Sequence, residues 1–270
     1  MDALTLRSLE NLIRADIPDF QVRFKDETWL LKAMGLLSFP FNPGFMTNVT
    51  TTLGSTVYFP TRAYYEGNIE RSFNILTHEY VHMWDRKNGD HSEILYLFPQ
   101  ILFVLPMVLY GVLAWPHPWI LLVPLLGYVP ASVLATKSPA GFWVLMAAIL
   151  AGTGVLTTLL VGWGSFALLA MFACLAPWPA PWRAKTELRG YTMTVAVRIW
   201  LGSGYSSNWR DLLAKNFYGP GYYFMQWSRA RAIADLDEAA SQALSGALQR
   251  RSPAYAAVHD FMSQQGLLRR

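Results

Sequence analysis

Two histidines, His78 and His82, flank Glu79 in the segment "NILTHEYVHMWD", residues 74–85. Residues four apart lie one turn above each other on a helix face, so two imidazoles at this spacing can grip one ion. A zinc ion takes histidine nitrogens at about 2.0–2.1 Å, and a catalytic zinc keeps three protein ligands and a water. Glu79, next to the first ligand, is then placed to take a proton from that water. The chemistry needs a helix, and the surrounding residues predict one. From Gly67 onward Ile69, Phe73, Leu76, Tyr80, Val81 and Trp84 recur at helical spacing. Asn68 suits the N-cap and Gly89 the C-terminal stop.

Composition sets the wider frame. The chain is 53% hydrophobic and only 15% charged, against about 25% charged in an ordinary soluble domain, and its mean hydropathy is +0.23. No Asp, Glu, Lys or Arg occurs between Glu93 and Lys137, nor between Lys137 and Arg183. Each gap has room for two spans of about 20 residues. The first hairpin would turn at "PHP" and the second near "GWGS". Trp115, Trp119, Trp143, Trp163, Trp178 and Trp182 would mark the span ends. The sequence therefore predicts a mostly α membrane protein. Its small α+β zincin-like core would comprise a β-hairpin and two active-site helices, with four transmembrane helices inserted between the ligand helices. The expected parts are residues 1–92, 93–181 and 182–270.

The distribution of Lys and Arg places both termini and the catalytic site on the cytoplasmic side of an inner membrane. The N-terminus lacks the apolar stretch of a secretory signal. Cys174 is the single cysteine, so no disulfide framework is available. The net charge of +4 fits an anionic lipid surface better than nucleic acid, for which there is no basic, aromatic-interleaved patch.

Two histidines alone hold a metal weakly, so a third ligand is required. Position 88, six residues past His82, is Asn88; His91 lies nine past it and remains a rival. Glu187, in "WRAKTELRGYTMTVAVRIW", is the first acidic residue after a long uncharged stretch and opens a second helical pattern. An even number of spans would return it to the side of the first motif.

H-E-x-x-H followed by a glutamate on a later helix resembles the gluzincin class of zinc metalloproteases. Apolar hairpins between the two ligand helices resemble the heat-shock-type membrane metalloproteases and the CAAX prenyl endopeptidases, and "NGD" at 88–90 is similar to the former. Those enzymes show Glu-x-x-x-Asp in the second helix, where this chain has Glu187 and Tyr191. That pattern looks more like the minimal gluzincins. The resemblance implies one Zn2+ per chain on His78, His82 and Glu187, Glu79 as general base, and hydrolysis of peptide bonds in membrane-associated protein or peptide substrates at a lipid bilayer. Oligomeric state is not implied.

In such enzymes the substrate adds as a strand to a sheet edge above the metal. The alternating segment "FMTNVTTTLGSTVYFPT" predicts a β-hairpin over 45–52 and 55–60. Its second arm, Ser55, Thr56, Val57, Tyr58 and Phe59, is the candidate edge. Oxyanion stabilisation opposite a metal calls for a Tyr, His or Arg. Tyr218, Tyr222, Tyr223 and His259 are candidates, and Tyr191 is another by its place on the second helix. Asp85 could orient a ligand imidazole or pair with Arg86 or Lys87. Residues 2–14 and "ETWLLKAMGLL" predict helices, "FQVRF" a short strand, and Ser252-Pro253 the start of a helix ending near Gly266.

Two other classes compete. A metal-binding scaffold or sensor without catalysis would have no need of Glu79. A transporter would carry ionisable residues inside its spans, and these apolar segments carry none apart from His117 in a turn.

Overall fold

The computed structural model describes residues 1–38, 44–89, 181–219 and 228–269, together with positions 145, 148, 152, 155 and 225. The chain forms two compact units. One comprises Met1–Glu93, Trp182–Lys215 and Ser228–Arg270; the other comprises Ile94–Pro181 and Asn216–Trp227. The first unit carries nearly all the described residues and every group considered below as a metal ligand.

Helix α1 (Ala3–Asp16) starts where the Asp2 carboxylate accepts the Thr5 backbone N–H. Its buried stripe is Leu6, Leu9 and Ile13, the spacing that turns one helical face to a core. Strand β1 (Gln21–Phe24) follows, then a 3₁₀ turn (Lys25–Glu27) and α2 (Trp29–Ser38). The predicted hairpin forms from β2 (Thr51–Leu53) and β3 (Thr56–Phe59), joined through Gly54 at φ 65°. Each strand is shorter than the sequence suggests, and residues 44–48 lie in turns instead.

Sheet order corrects one expectation. β1 pairs parallel with β3 (Val22 opposite Val57) and β2 pairs antiparallel with β3 (Thr52 opposite Val57), giving the order β1-β3-β2. Ser55, Thr56, Val57, Tyr58 and Phe59 therefore belong to the central strand or the turn into it. With a neighbour on each side, β3 offers no free edge to a peptide; among the described residues the edges are β1 and β2. Nothing local in "STVYFP" reveals this, because β1 reaches β3 only through the crossover that contains α2.

Short α3 (Arg62–Glu66) leads into α4 (Ile69–Lys87), capped by the Asn68 side chain on the Arg71 N–H. Gly89, at φ 86°, follows its end. After residue 180 come α5 (Pro181–Trp200), α6 (Ser207–Tyr218), α7 (Arg229–Leu244), α8 (Ala247–Arg251) and α9 (Pro253–Gln264). Phe73, Leu76, Tyr80 and Val81 of α4 pack into one core with Leu9 and Ile13 of α1. Met193 and Val197 of α5 and Tyr255, Val258 and Met262 of α9 complete it. The two ligand-bearing helices are thus held by the same apolar cluster.

The membrane architecture is corrected as well. Among the described residues no helix is long and apolar enough to cross a membrane. The longest, α4 and α5, are interrupted by charge: Glu70, Arg71, Glu79 and Asp85 in one, Arg183, Lys185, Glu187, Arg189 and Arg198 in the other. The described fold is instead an α+β arrangement with a three-stranded sheet beside packed helices, and the expected multi-pass location in an inner membrane is overturned with it. The four segments read as spans, within residues 94–181, lie outside the described residues.

Candidate metal centre

His78 and His82 project from α4 toward the face of α5 that carries Glu187, Gly190, Tyr191 and Thr194, positions on one stripe of that helix. His78 Nε2 lies 3.1 Å from His82 Nε2 and 3.5 Å from Glu187 Oε2. Ligand atoms of His78, His82 and Glu187 all lie within 4.8 Å of one another. Adjacent corners of a tetrahedron with metal–ligand bonds of about 2.0–2.1 Å are about 3.3 Å apart, so the two shorter separations match a shared ion. This group could hold a metal ion.

Burial sharpens the point. The side chains of His78 and Glu187 are 12% and 7% exposed. Burial alone would push the His78 imidazole down. The hydrogen bond to Glu187 and the negative charges of Glu79 and Glu187 outweigh it and leave the pKa raised. His82 moves the other way, to about 4, through burial and then the nearby His78 charge. Burial, with Glu187 adding to it, raises Glu79, against the opposing pull of His78 and of a hydrogen bond from Thr52. A proton on His78 does part of what a cation would do here: its single charge offsets part of the negative charge of two carboxylates that have little water.

No protein-family model, curated protein or solved structure matches the chain.

Residues around the ligands complete the centre. The His78 Nδ1 is 3.2 Å from Thr194 Oγ1, whose hydroxyl also donates to the Gly190 carbonyl at 3.3 Å. The His78 ring meets Tyr191 edge to face at 4.8 Å and His82 at the same centroid distance. Gly190 has no β-carbon for a reason of space: one added there would lie 2.5 Å from His78 Nε2. Thr52 Oγ1 donates to Glu79 Oε2 at 2.8 Å. That contact follows from register, since Thr52 is paired with buried Val57 and cross-strand partners share a sheet face.

Asp85 pairs with Arg189, at 2.5 Å, and so ties α4 to α5. This partner is thus neither a ligand imidazole nor the neighbouring Arg86 or Lys87 expected from the sequence, but a residue of the second ligand helix. Of the aromatic candidates, Tyr191 is brought against a ligand. His259 is not: its ring packs on Trp200 at 5.0 Å and its Nδ1 lies 3.6 Å from Asp260. Trp200 ends α5 about 20 Å along the helix from Glu187. Tyr218 closes α6 and belongs to the second compact unit. Tyr222, Tyr223, His91 and Glu93 lie outside the described residues.

Sequence reasoning missed Thr52, Thr194, Arg189 and Gly190. Gly190 did leave a signal, because a glycine in mid-helix costs about 1 kcal/mol relative to alanine and calls for a reason. Threonines and arginine had none, since their roles depend on which elements meet.

Proposed function

We propose that the chain is a zinc-dependent endopeptidase of the gluzincin type, with His78, His82 and Glu187 as ligands and Glu79 as general base. The observation that carries this reading is the 3.1 Å and 3.5 Å spacing of the three ligand groups on two helices, with Glu79 beside them. When bound, zinc supplies Lewis acidity toward a carbonyl oxygen and a water acidic enough to lose its proton near neutrality.

The chain's residues divide the remaining work. Glu79 sits where its raised pKa suits it to take a proton and return it to a leaving amine. Thr52 holds one carboxylate oxygen of Glu79, which leaves the other for the proton. Thr194 engages the His78 Nδ1, the nitrogen turned away from the ligand cluster, and so sets the ring's orientation. Tyr191 packs against the same ring. β2, which bears Thr52, is an edge among the described residues, so an extended peptide added there would run beside Glu79.

The test is a pair of measurements on purified protein: metal content, and cleavage of an unfolded protein such as reduced casein. Wild type should carry one zinc and cleave. Glu79→Gln should retain the zinc and lose cleavage by at least about 10³-fold. If wild type holds zinc and cleaves nothing, the endopeptidase reading fails and a non-catalytic metal site takes its place.

A further inference from the structure

Two polar atoms, one just before β2 and one on α4, are hidden from water with nothing to bond. Among the described residues neither Thr50 Oγ1 nor Asn74 Oδ1 meets a hydrogen-bond partner. The Asn74 amide is oriented by its other end, since Nδ2 donates to the Glu70 carbonyl at 3.0 Å and a carbonyl only accepts. Oδ1 is therefore the atom left over, an acceptor without a donor. Buried groups of this kind are uncommon enough to need a reason.

Both stand at one level between β2 and α4. Thr52 donates to Glu79, and a β-carbon at Gly54 would lie 3.7 Å from Arg86 Nη1, so β2 runs in the same direction as α4. Thr50, two residues before Thr52, is then about 6.6 Å back along the strand. Asn74, five before Glu79, is about 7.5 Å back along the helix. The two levels agree to about 1 Å. Asn74 is also one turn before His78, on the stripe that carries both histidines, and strand alternation gives Thr50 the face of Thr52.

The strand edge beside them is turned toward a peptide. Gln21 donates its N–H to the Ser55 carbonyl, so β3 bonds β1 through Ser55 and Val57 and is left to bond β2 through Thr56 and Tyr58. Thr52, opposite Val57, therefore points its own N–H and C=O away from β3, to the edge that is free among the described residues. A chain paired there is anchored at the residue whose side chain holds Glu79, and its neighbouring side chain reaches the level of Thr50 and Asn74.

We propose that Thr50 and Asn74 form a specificity subsite for a carboxamide side chain, Asn or Gln, close to the scissile bond. The Thr50 hydroxyl has a proton to give and Asn74 Oδ1 needs one. A carboxamide accepts the first through its carbonyl and supplies the second through its NH2. A carboxylate only accepts, an ammonium only donates, and an apolar side chain leaves both atoms as they are. The proposal deepens the endopeptidase reading and rests on it for the nature of the ligand.

Its test reads binding, which needs no turnover. Peptides fluorescein-Ala-Ala-Ala-X-Ala-Ala-Ala, with X as Asn, Gln, Leu, Met, Asp or Lys, are titrated by fluorescence polarisation into the full chain carrying Glu79→Gln. The Asn or the Gln peptide should bind about tenfold tighter than its apolar isostere, Leu or Met, and tighter than the Asp and Lys peptides. Adding Thr50→Val or Asn74→Leu, with the thermal transition retained, should bring that preference to within about twofold. Equal binding of the isosteres overturns the proposal, as does equal binding of the Lys peptide, which would mark a plain acceptor site. A preference that survives both substitutions overturns it by placing the side chain elsewhere, and so does binding of no peptide at all. A carboxamide preference in a chain whose wild type cleaves nothing would support the subsite and remove only the endopeptidase reading.

Discussion

The imidazole of His78 lies directly over the backbone of Gly190, so close that a β-carbon at position 190 would come within 2.5–2.7 Å of three ring atoms. The ring cannot stay where it is if that space is filled. Gly190→Ala would gain helix propensity worth about 1 kcal/mol, yet it should displace a ligand. We expect metal affinity to fall about 10- to 100-fold, the range seen when groups supporting a ligand are lost. Metal-competition titration against a chelating dye checks this. Retained affinity would mean that α5 shifts as a body.

Ligand identity is the next expectation. His78→Ala and Glu187→Ala should each abolish stoichiometric zinc, because a two-ligand remainder is too weak to survive dialysis. His91→Ala should keep it. Metal analysis of the three variants beside wild type decides the matter. If His91→Ala loses zinc and Glu187→Ala keeps it, the third ligand lies on the α4 side of the chain and the two-helix site is wrong.

How far these features could be read in advance depended on whether they were local. The helix bearing His78 and His82 was legible because Asn68, a 3.6-residue apolar pattern and Gly89 all mark one element. The turn at Gly54 was legible for the same reason. Strand order was not: whether β1 or β2 flanks β3, or both do, rests on a parallel pairing across more than thirty residues. The error about the edge strand follows from that. Reading long uncharged segments as spans used composition alone, and the architecture of the described residues gave it no support. His259 looked catalytic by residue type, but its place on α9 against Trp200 sets it apart from the ligands.

The Asp85–Arg189 pair is expected to matter more for stability than a surface ion pair. Asp85 is 7% exposed and Arg189 32%. Removing the cation leaves a buried carboxylate with a lost counter-charge, so Arg189→Met should destabilise the fold by on the order of 3 kcal/mol. Asp85→Asn, which removes the buried charge and keeps the more exposed cation, should cost less. Urea unfolding of metal-free protein measures both. Equal, small effects would show that the pair contributes no more than a solvated one.

Acid should act in opposite directions on the empty and the loaded site. The raised pKa of His78 means that the metal-free fold is stabilised by its proton below pH 6.5, and that this stabilisation is lost as pH rises through the raised value. A metal must displace that proton, so apparent affinity should fall about tenfold per pH unit once below the His78 pKa. His82, at about 4, is already neutral and contributes no proton above pH 5. Calorimetry in two buffers of different ionisation enthalpy should therefore find more protons released per metal at pH 6 than at pH 9. Equal release at both would assign the raised pKa to another group.

Lys25 offers a pH effect remote from the metal. It is fully buried; its ammonium donates to the Phe45 carbonyl at 2.8 Å and sits 3.7 Å over the Phe45 ring. Burial lowers its pKa from 10.5 to about 7. Between those values the unfolded chain binds the proton and the folded chain does not, so this residue makes stability rise with pH across that window. Below pH 7 both states are charged, and the cost of burying the charge is borne in full, offset in part by the carbonyl and the ring. Lys25→Met, close in length, removes the charge and the slope together. Its gain in stability over wild type should be larger at pH 6 than at pH 9, read as the shift in urea midpoint at each pH. A constant difference would mean that the carbonyl and the ring hold the ammonium charged in the folded protein throughout, and that the lysine is there for those two contacts.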